Sequence, residues 1–249
     1  QENQLNLSLG NFIQSDLLLN DLILSPQILQ SIEEIKHWQH FFEQKNTNSI
    51  SFIKRVRYGI KILFYGKSGT GKTQTAAIIG NELNKQVYRI DLSQIVSKYI
   101  GETEKNLSKI FEVAEQKKWI LFFDEGDALF GKRTSVNSSN DRYANQEVAY
   151  LLQRMEDYSG IIILSTNLKE NIDAAFLRRF QIITEFPMPD KQQRLEIWKK
   201  LLLELDNIKI DLSEKEFEEL SKTELSGGAI TNVVNFALLK SNFTNSAIS

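Results

Sequence analysis

The feature that most constrains the fold of this chain is a glycine-rich segment between a strand pattern and a helix pattern. Residues Gly66–Thr73 read GKSGTGKT, with the apolar run Ile60–Tyr65 directly before them and the helix-like run Thr75–Ile79 shortly after. Backbone N–H groups can wrap a polyphosphate only where side chains do not block its approach, which suits the glycines of this segment. The following helix adds the positive end of its dipole. This order of elements predicts a phosphate-binding loop.

Seven residues of this loop are predicted to bind a nucleotide: Gly66, Ser68, Gly69, Thr70, Gly71, Lys72 and Thr73. The ammonium group of Lys72 can reach the β- and γ-phosphates as a point charge. The hydroxyl group of Thr73 is placed to ligate Mg²⁺. The sequence therefore predicts a site for a nucleotide polyphosphate together with Mg²⁺.

Four further strand patterns follow the loop, and helical patterns separate them. The predicted strands are Gln86–Asp91, Trp119–Phe123, Ile161–Ser165 and Gln181–Phe186. Such alternation predicts an α/β fold of the P-loop NTPase type, an αβα sandwich in which helices cover both faces of a mostly parallel sheet. The active site of such a fold lies at the carboxyl ends of the strands.

Polar residues follow two of these predicted strands. Asp124 and Glu125 come directly after one strand, and we expect Asp124 to hold Mg²⁺ and Glu125 to act as the base that polarises the attacking water. Asn167 follows the next strand, and its amide can hydrogen-bond both that water and a γ-phosphate oxygen. Each residue alone has an ordinary alternative, as a solvated acid or as an asparagine in a local turn. Their combination with the phosphate loop favours catalysis.

The chain is predicted to have three parts: an N-terminal lead-in (1–55), a large P-loop ATPase domain (56–189) and a small α-helical lid domain (190–249). The lead-in carries a helical pattern from Pro26 to about Phe42. Strand signals stop at Pro189, and Asp190 can cap the helix that follows. Ser213 and Glu216 have the spacing of a capping box at the start of another helix.

Composition excludes several classes of function. The formal charge is −2, from 30 basic and 32 acidic residues among 249, so the chain as a whole is not attracted to nucleic acid. No apolar run approaches the roughly 18 residues of a membrane span.

The chain has no cysteine, which suits a reducing compartment, and we expect a cytoplasmic location. The histidines, His37 and His40, do not form the HExxH pattern of a zinc peptidase. Because the chain opens at Gln1, the absence of a targeting segment does not extend to a full-length protein.

The order of these motifs resembles the AAA+ ATPases, in the AAA subgroup that includes spastin and katanin. Asp124 and Glu125 are similar to the family's Walker B motif, and Asn167 is similar to sensor 1. Arg178 and Arg179 are similar to the arginine fingers that one subunit donates to its neighbour's nucleotide. The resemblance implies that ATP is the nucleotide. It also implies a homo-oligomer, commonly a hexameric ring, that remodels, unfolds or disassembles protein substrates.

The resemblance further implies residues around the adenine base and a loop that contacts substrate. Ile23 and Leu24, with Leu22, would border the base on one side, and Gly228 and Ala229 would lie opposite. Residues Ser97–Leu107 resemble the first pore loop and the helix after it.

Two interpretations of the predicted pore residues, Tyr99 and Ile100, are open. Their apolar character alone favours ordinary core residues. Their polar neighbours and Gly101 fit an exposed loop better. The resemblance favours the loop, with Tyr99 and Ile100 gripping a polypeptide in the pore of the ring.

Two segments resemble a narrower group within the family. Residues Asp141–Asn145 and Tyr150–Glu156 are similar to bacterial stand-alone AAA ATPases, some of which are encoded beside phage-tail-like contractile injection systems. An assembly of that kind is therefore a predicted partner. The alternatives are a loader or remodeller of nucleic acid and a scaffold that binds ATP but hydrolyses it weakly. The charge of −2 argues against the first alternative, and the intact catalytic residues argue against the second.

Two positions depart from the family's pattern. The segment Ser226–Ile230 carries no arginine where many AAA+ proteins have sensor 2. Compensation of the γ-phosphate charge would then depend on Lys72 and on arginines of a neighbouring subunit. Gly126 stands where the family commonly has alanine, and we expect it to loosen the turn slightly.

Overall fold

A six-stranded sheet forms the centre of the computed structural model, which describes residues 9–44, 59–93, 102–127, 139–167, 174–203, 210 and 212–244. The strands are β1 (Gly10–Ile13), β2 (Ile60–Tyr65), β3 (Val87–Asp91), β4 (Ile120–Asp124), β5 (Ile161–Thr166) and β6 (Ile182–Glu185). Their order in the sheet is β1-β3-β4-β5-β2-β6. β1 runs antiparallel to β3, and the other neighbours are parallel. The parallel strands therefore bring their carboxyl ends to one edge of the sheet.

Helices cover both faces of the sheet and continue beyond it. They are α1 (Pro26–Gln44), α2 (Lys72–Glu82), α3 (Glu102–Lys117), α4 (Ser139–Asp157), α5 (Ala174–Leu177), α6 (Lys191–Leu203), α7 (Glu214–Lys222) and α8 (Gly227–Thr244). A short 3-10 helix, Leu19–Asp21, precedes α1. Within the described part of the chain, no helix combines the length and apolar character needed to cross a membrane.

Alternate residues of the central strands are buried in two different apolar clusters. Leu121 and Phe123 of β4 pack on one face of the sheet, in a cluster that includes Phe111 of α3. Ile120 and Phe122 pack on the other face, in a cluster that includes residues of α1 and α2. β4 is buried along its whole length. A parallel strand between two helical layers has this continuous apolar character, which explains the run that precedes Asp124.

The three C-terminal helices α6, α7 and α8 share an apolar cluster of their own. Its buried members are Trp198, Leu202, Phe217, Ile230 and Val234. The predicted capping box at the start of α7 is confirmed, because the backbone N–H of Ser213 donates to Oε2 of Glu216 at 2.7 Å. Asp190 also caps α6, since its Oδ1 accepts from the backbone N–H of Gln193 at 2.8 Å. Helices α6 and α7 thus begin where the sequence predicts.

The five predicted strands are confirmed to within one residue at each end, whereas β1 was not predicted. β1 has only four residues, and its position depends on pairing with β3. The ring of Phe12 in β1 packs edge-on against Tyr88 and Trp119, with centroids 5.1 and 4.7 Å away. Part of the lead-in therefore belongs to the central sheet. The bounds of the three predicted parts stay a prediction.

Candidate active site

The glycine-rich loop joins β2 to α2 and packs closely against its surroundings. Gly66 has a φ of 146°, and a Cβ at this position would lie 2.1 Å from the carbonyl oxygen of Phe186. Gly69 has a φ of 76°, and a Cβ there would lie 2.4 Å from the hydroxyl oxygen of Ser226 in the lid. Glycine is required at both positions for the backbone conformation and for close contact with neighbouring elements.

Lys72, the first residue of α2, is held inside the loop. Lys72 is only 7% exposed to solvent. The Nζ atom donates to the carbonyl oxygens of Gly66 at 2.6 Å and Lys67 at 3.0 Å. It also donates to Oδ1 of Asn167 at 3.0 Å. The structure thus brings together the loop lysine and the polar residue after β5, two groups that are 95 positions apart in sequence.

Asp124, the last residue of β4, and Glu125, which follows it, lie at the same edge of the sheet. The register of β3 with β4 sets Asp91 beside Asp124. Burial lowers the pKa of Lys72, and nearby carboxylates, led by Asp124, oppose that shift. Burial raises the pKa of Glu125, and the charge of Asp124 raises it further. These shifts mark a partly desolvated group of opposite charges, as is common at catalytic sites.

Glu125 has a backbone conformation that is unusual for its residue type. Its φ is 56°, in the left-handed region. A non-glycine residue held in a sparsely populated conformation costs of order 1–3 kcal/mol, and such residues cluster at functional sites. The side chain of Glu125 is exposed toward the cleft described below, and Asp124 is buried. The turn therefore separates the two adjacent acids into different environments, as their predicted roles require.

Arg89 of β3 supplies a cation beside these acids. Its Nη2 lies 2.8 Å from Oδ2 of Asp124, and the two side chains are 36% and 12% exposed. The Nε of Arg89 is buried and has no hydrogen-bond partner among the described residues. The guanidinium group thus balances the charge of Asp124 from the side of β3.

Asp127 binds the end of β5 through several hydrogen bonds. Its Oδ1 accepts from the backbone N–H of Asn167 at 3.0 Å and from the hydroxyl group of Thr166. Its Oδ2 accepts from Nδ2 of Asn167 at 3.1 Å. Asn167 therefore lies between a carboxylate on one side and the ammonium group of Lys72 on the other.

A cleft of about 660 Å³ opens between the loop, the lead-in and the lid, a volume typical of small-molecule sites. The predicted site residues that line it are Ile23, Leu24, Ser68, Gly69, Thr70, Gly71, Lys72, Thr73, Asp124, Glu125, Asn167 and Gly228. Two predicted residues lie just outside the lining. Gly66 contributes its carbonyl oxygen to Lys72, and Ala229 donates its backbone N–H to the hydroxyl oxygen of Ser226 at 3.3 Å.

The lid contacts both the loop and the lead-in across this cleft. The backbone N–H of Gly228 donates to the carbonyl oxygen of Gly69 at 2.8 Å. A Cβ on Gly228 would lie 3.1 Å from the Cα of Gly69. On the lead-in side, Nζ of Lys200 lies 2.7 Å from the carbonyl oxygen of Asn20 and 3.4 Å from Oδ1 of Asp21. Movement of the lid would therefore change the shape of the cleft directly.

The two predicted arginine fingers follow α5 and do not line this cleft. Arg179 forms an ion pair with Glu156 of α4, and its guanidinium group lies 5.9 Å from the ring centre of Phe176. Arg178 is exposed. The predicted pore residues, Tyr99 and Ile100, lie outside the described residues, so their assignment stays a prediction.

Gly126 has a structural role that differs from the predicted one. Its backbone N–H donates to the carbonyl oxygen of Ser165 at 2.7 Å. A Cβ on Gly126 would lie 2.8 Å from that same oxygen. The glycine lets the turn after β4 approach β5 closely, and the expected loosening of this turn stays a prediction.

Sequence reasoning missed two residues of this site, Asp127 and Arg89. Asp127 follows Glu125 by two residues, and a third acid so close to the pair is the sequence signal that points to it. Arg89 interrupts the apolar strand β3 with a charge, and a charged residue within a buried strand is a signal of a buried partner. Its partner, Asp124, could be identified only from the register of two strands that lie far apart in sequence.

Residues 62–188 match the family described as "ATPase family associated with various cellular activities (AAA)". The chain is 36% identical over 179 residues to cell division protein C of Sulfolobus acidocaldarius, which covers 66% of this chain and 47% of that protein. It is 38% identical over 185 residues to the ATPase family gene 2 protein of Schizosaccharomyces pombe, covering 72% of this chain and 22% of that protein. It is 36% identical over 168 residues to the proteasome-activating nucleotidase of Methanococcus maripaludis, covering 65% of this chain and 40% of that protein. The chain thus spans less than half the length of each of these relatives.

Two solved structures of the FIGL-1 AAA domain share the fold. The structure with ADP has a TM-score of 0.69 at 20% identity and covers 95% of this chain and 77% of that one. The second has a TM-score of 0.70 at 22% identity and covers 96% of this chain and 77% of that one. The predicted P-loop fold with a mostly parallel sheet is confirmed.

Proposed function

The chain belongs to the AAA family of ATPases, and we propose that it couples Mg²⁺-dependent ATP hydrolysis to the remodelling, unfolding or disassembly of proteins by a ring-shaped oligomer. The observation that carries this proposal is the convergence of Lys72, Glu125 and Asn167 on one cleft whose walls are the phosphate loop and the lid. A phosphoryl-transfer site needs a phosphate cradle, a base and a residue that positions water in the same place.

The residues proposed to hold Mg²⁺ fit that ion chemically. Thr73 offers a hydroxyl oxygen and Asp124 a carboxylate oxygen, and both residues line the cleft. Hard divalent cations prefer such oxygen ligands. The carboxylate of Asp124 binds the guanidinium of Arg89, a contact that a bound Mg²⁺ would share or replace. When bound, Mg²⁺ would neutralise phosphate charge and help to orient the β- and γ-phosphates.

The hydrolytic step is assigned to the exposed acid and the amide. Water would attack the γ-phosphorus, the bond between the γ-phosphorus and the oxygen bridging to the β-phosphate would break, and the proton lost by the water would pass to Glu125. The raised pKa of Glu125 makes its carboxylate a stronger base than an ordinary glutamate. Asn167 would hold the water in line for attack, and Lys72 would bind the phosphate oxygens.

Completion of the site by a second subunit is proposed from the position of the arginines. Neither Arg178 nor Arg179 lines the cleft of its own chain. Both arginines are exposed, but Arg179 is also engaged by Glu156 and Phe176 within its own subunit. Arg178 is therefore the stronger candidate for the group that reaches a neighbour's γ-phosphate, and a hexameric ring would provide that neighbour at every site.

Protein is the proposed substrate class, with Tyr99 and Ile100 as the residues that grip it. An aromatic ring can contact an extended polypeptide regardless of its sequence. One relative is a proteasome-activating nucleotidase by name, which supports action on proteins for this family. The net charge of −2 gives no support to the nucleic-acid alternative. The contractile injection assembly as a partner and the cytoplasm as the location stay predictions.

Electron microscopy of the Glu125→Gln protein with ATP and Mg²⁺ tests the ring and its substrate together. The variant should bind ATP without hydrolysing it and should trap a ring with polypeptide in its pore when fluorescently labelled, unfolded casein is present. A monomer under these conditions, at concentrations where the wild type hydrolyses ATP, would contradict the ring. Density for casein outside the pore only would contradict threading.

Tyr99→Ala separates the pore interpretation from the core interpretation. We expect its melting temperature and basal ATPase rate to match the wild type, while stimulation of hydrolysis by casein is lost. Tyr158→Ala provides a matched control, because Tyr158 is buried in the apolar cluster that includes Phe111 and Phe123. Truncation of a core aromatic should cost roughly 3–5 kcal/mol and lower all activities together. A Tyr99→Ala protein that behaves like such a core variant would refute the pore assignment.

A further inference from the structure

We propose that Asp127 is a positioning residue for ATP hydrolysis, because it fixes the orientation of the Asn167 side-chain amide. This inference rests on the proposed function of the cleft. Asp127 itself does not line the cleft, whereas Asn167 does. The hydrogen bonds of Asp127 therefore reach the cleft through Asn167, the residue that they hold.

The first step is the anchoring of the end of β5. Asp127 accepts two hydrogen bonds from Asn167, one from the backbone N–H at 3.0 Å and one from Nδ2 at 3.1 Å. It accepts a third from the hydroxyl group of Thr166. A carboxylate that binds both the backbone and the side chain of one residue restrains its position and its rotation together.

The second step is the direction of the amide. An ionised carboxylate can only accept hydrogen bonds, and an ammonium group can only donate them. Asn167 lies between these two groups, with Nδ2 toward Asp127 and Oδ1 at 3.0 Å from Nζ of Lys72. If the amide rotated by half a turn, its NH₂ group would face the ammonium of Lys72, and its carbonyl oxygen would face the carboxylate of Asp127. Only one orientation satisfies both neighbours.

The third step is the consequence for the nucleotide. Asp127 occupies one N–H of the Asn167 amide, and Lys72 occupies one lone pair of its carbonyl oxygen. The second lone pair and the second N–H are left for groups in the cleft. An attacking water could then donate to the fixed carbonyl oxygen, and a phosphate oxygen could accept from the free N–H. Without the carboxylate, the Lys72 ammonium would be the remaining group that orients the amide. Once Lys72 turned to the phosphate oxygens, the amide could present its two ends in either order, and the productive arrangement would lose population.

A backbone hydrogen bond of the preceding residue also fixes the position of Asp127. It follows Gly126, whose N–H donates to the carbonyl oxygen of Ser165 at 2.7 Å. The absence of a Cβ at Gly126 permits this approach, since such an atom would lie 2.8 Å from that oxygen. The turn after β4 and the end of β5 are thus joined by one backbone hydrogen bond and by the contacts of Asp127.

Asp127→Asn is the informative substitution, because it preserves shape and replaces one acceptor oxygen with a donor. If the new oxygen keeps its contact with the Asn167 backbone, the new NH₂ group faces Nδ2 of Asn167. Two donors then oppose each other, and the Asn167 amide must rotate or move. A misplaced positioning group can reduce turnover by about 10²-fold. We therefore expect kcat to fall by about that factor while KM and ADP affinity change little.

A double-mutant cycle distinguishes positioning from a structural role. Asp127→Asn, Asn167→Ala and the double variant are compared for kcat, KM, ADP binding and melting temperature. If Asp127 acts through Asn167, the double variant should turn over no more slowly than Asn167→Ala alone. Asp157→Asn removes the same charge from the exposed end of α4 and should leave kcat unchanged. The proposal would be overturned if the loss of kcat in the double variant were the product of the losses in the two single variants. It would also be overturned if Asp127→Asn lowered the melting temperature so far that unfolding explained the lost activity.

Nuclear magnetic resonance tests the contact without reference to hydrolysis. In protein labelled with ¹⁵N-asparagine, the side-chain signals of Asn167 can be identified by their loss in Asn167→Ala. In the wild type these amide protons should exchange slowly with solvent and have well-separated shifts. Free-amide shifts in the wild type would overturn the proposal even if no Asp127 variant folds. Restrained signals in a protein that fails to hydrolyse ATP would refute the proposed function but leave the orienting contact in place.

Discussion

Removal of the Arg89 guanidinium should destabilise the protein in the absence of nucleotide. Arg89→Met keeps the apolar stem and leaves the buried carboxylate of Asp124 without its cation, which now lies at 2.8 Å. Lys72 also interacts with Asp124 and would compensate in part, whereas Glu125 and Asp127, both nearby, would add repulsion. The destabilisation should therefore reflect an unpaired carboxylate rather than lost packing.

The expected magnitude follows from the unequal burial of the two partners. Breaking a fully buried ion pair by removing one partner costs about 3–5 kcal/mol, whereas an exposed pair contributes about 0–1 kcal/mol. Arg89 is 36% exposed and Asp124 is 12% exposed, so solvent screens the arginine but not the acid. We expect Arg89→Met to lower the free energy of unfolding by about 2 kcal/mol, a value between these limits. For a chain of this size that corresponds to a melting temperature lower by roughly 4–8 °C.

Thermal melting at neutral pH, with Lys36→Met as the matched control, measures this effect. Lys36 is 32% exposed and pairs with Glu33 and Glu82, which are 53% and 31% exposed. Its loss should lower the melting temperature much less, because both acids stay solvated. Mg²⁺ and ADP should narrow the deficit of Arg89→Met, since a bound cation would replace the guanidinium beside Asp124. Equal melting of Arg89→Met and the wild type, or a deficit no larger than that of Lys36→Met, would refute the burial argument.

Three further expectations concern the lid, the arginines and the base. Gly228→Leu should weaken ATP and ADP binding alike, because its side chain would meet Gly69 from 3.1 Å, and slowed hydrolysis with unchanged affinities would contradict the assignment. Arg178→Ala should bind ATP normally but hydrolyse it on the order of 10³-fold more slowly, and a wild-type rate per subunit that does not depend on protein concentration would count against action in trans. Burial raises the pKa of Glu125 in the folded state, so its ionisation disfavours folding once the pH exceeds the ordinary glutamate value. The melting temperature of Glu125→Gln should therefore be higher than that of the wild type at neutral pH and equal to it below about pH 4. A difference in melting temperature that does not depend on pH would disprove the raised pKa of Glu125.

Much of the fold could be predicted because its signals are local. The parallel strands are short apolar runs bounded by turn residues, and each was located to within one residue. The capping box of Ser213 and Glu216 is also local, since both residues belong to the same helix start. β1 could not be predicted in this way. Its four residues carry little pattern, and the pairing with β3 that stabilises it joins segments about 80 residues apart in the chain.

The residues of the candidate site also divide into those with a local sequence signal and those whose role depends on distant pairing. Lys72, Asp124, Glu125 and Asn167 could be identified because each follows a recognisable strand, and strand ends converge in a parallel sheet. Arg89 was missed because its role depends on the register between β3 and β4. Ala229 does not line the cleft, and its backbone N–H donates to the hydroxyl oxygen of Ser226, so its place beside the base stays a prediction. A helix places successive residues on different faces, so a motif of adjacent residues does not all face one cleft.

Binding and turnover of ATP, measured side by side in the wild type, Lys72→Ala and Glu125→Gln, test the central claim most directly. Fluorescence titration with a labelled ATP analogue gives the affinity, and phosphate release gives the rate. We expect Lys72→Ala to lose binding, because the loop loses the one side chain that reaches the phosphates as a charge. We expect Glu125→Gln to bind as the wild type does and to release no phosphate. Unchanged ATP affinity in Lys72→Ala, or undiminished phosphate release by Glu125→Gln, would contradict the assignment of this cleft as an ATP-hydrolysing site.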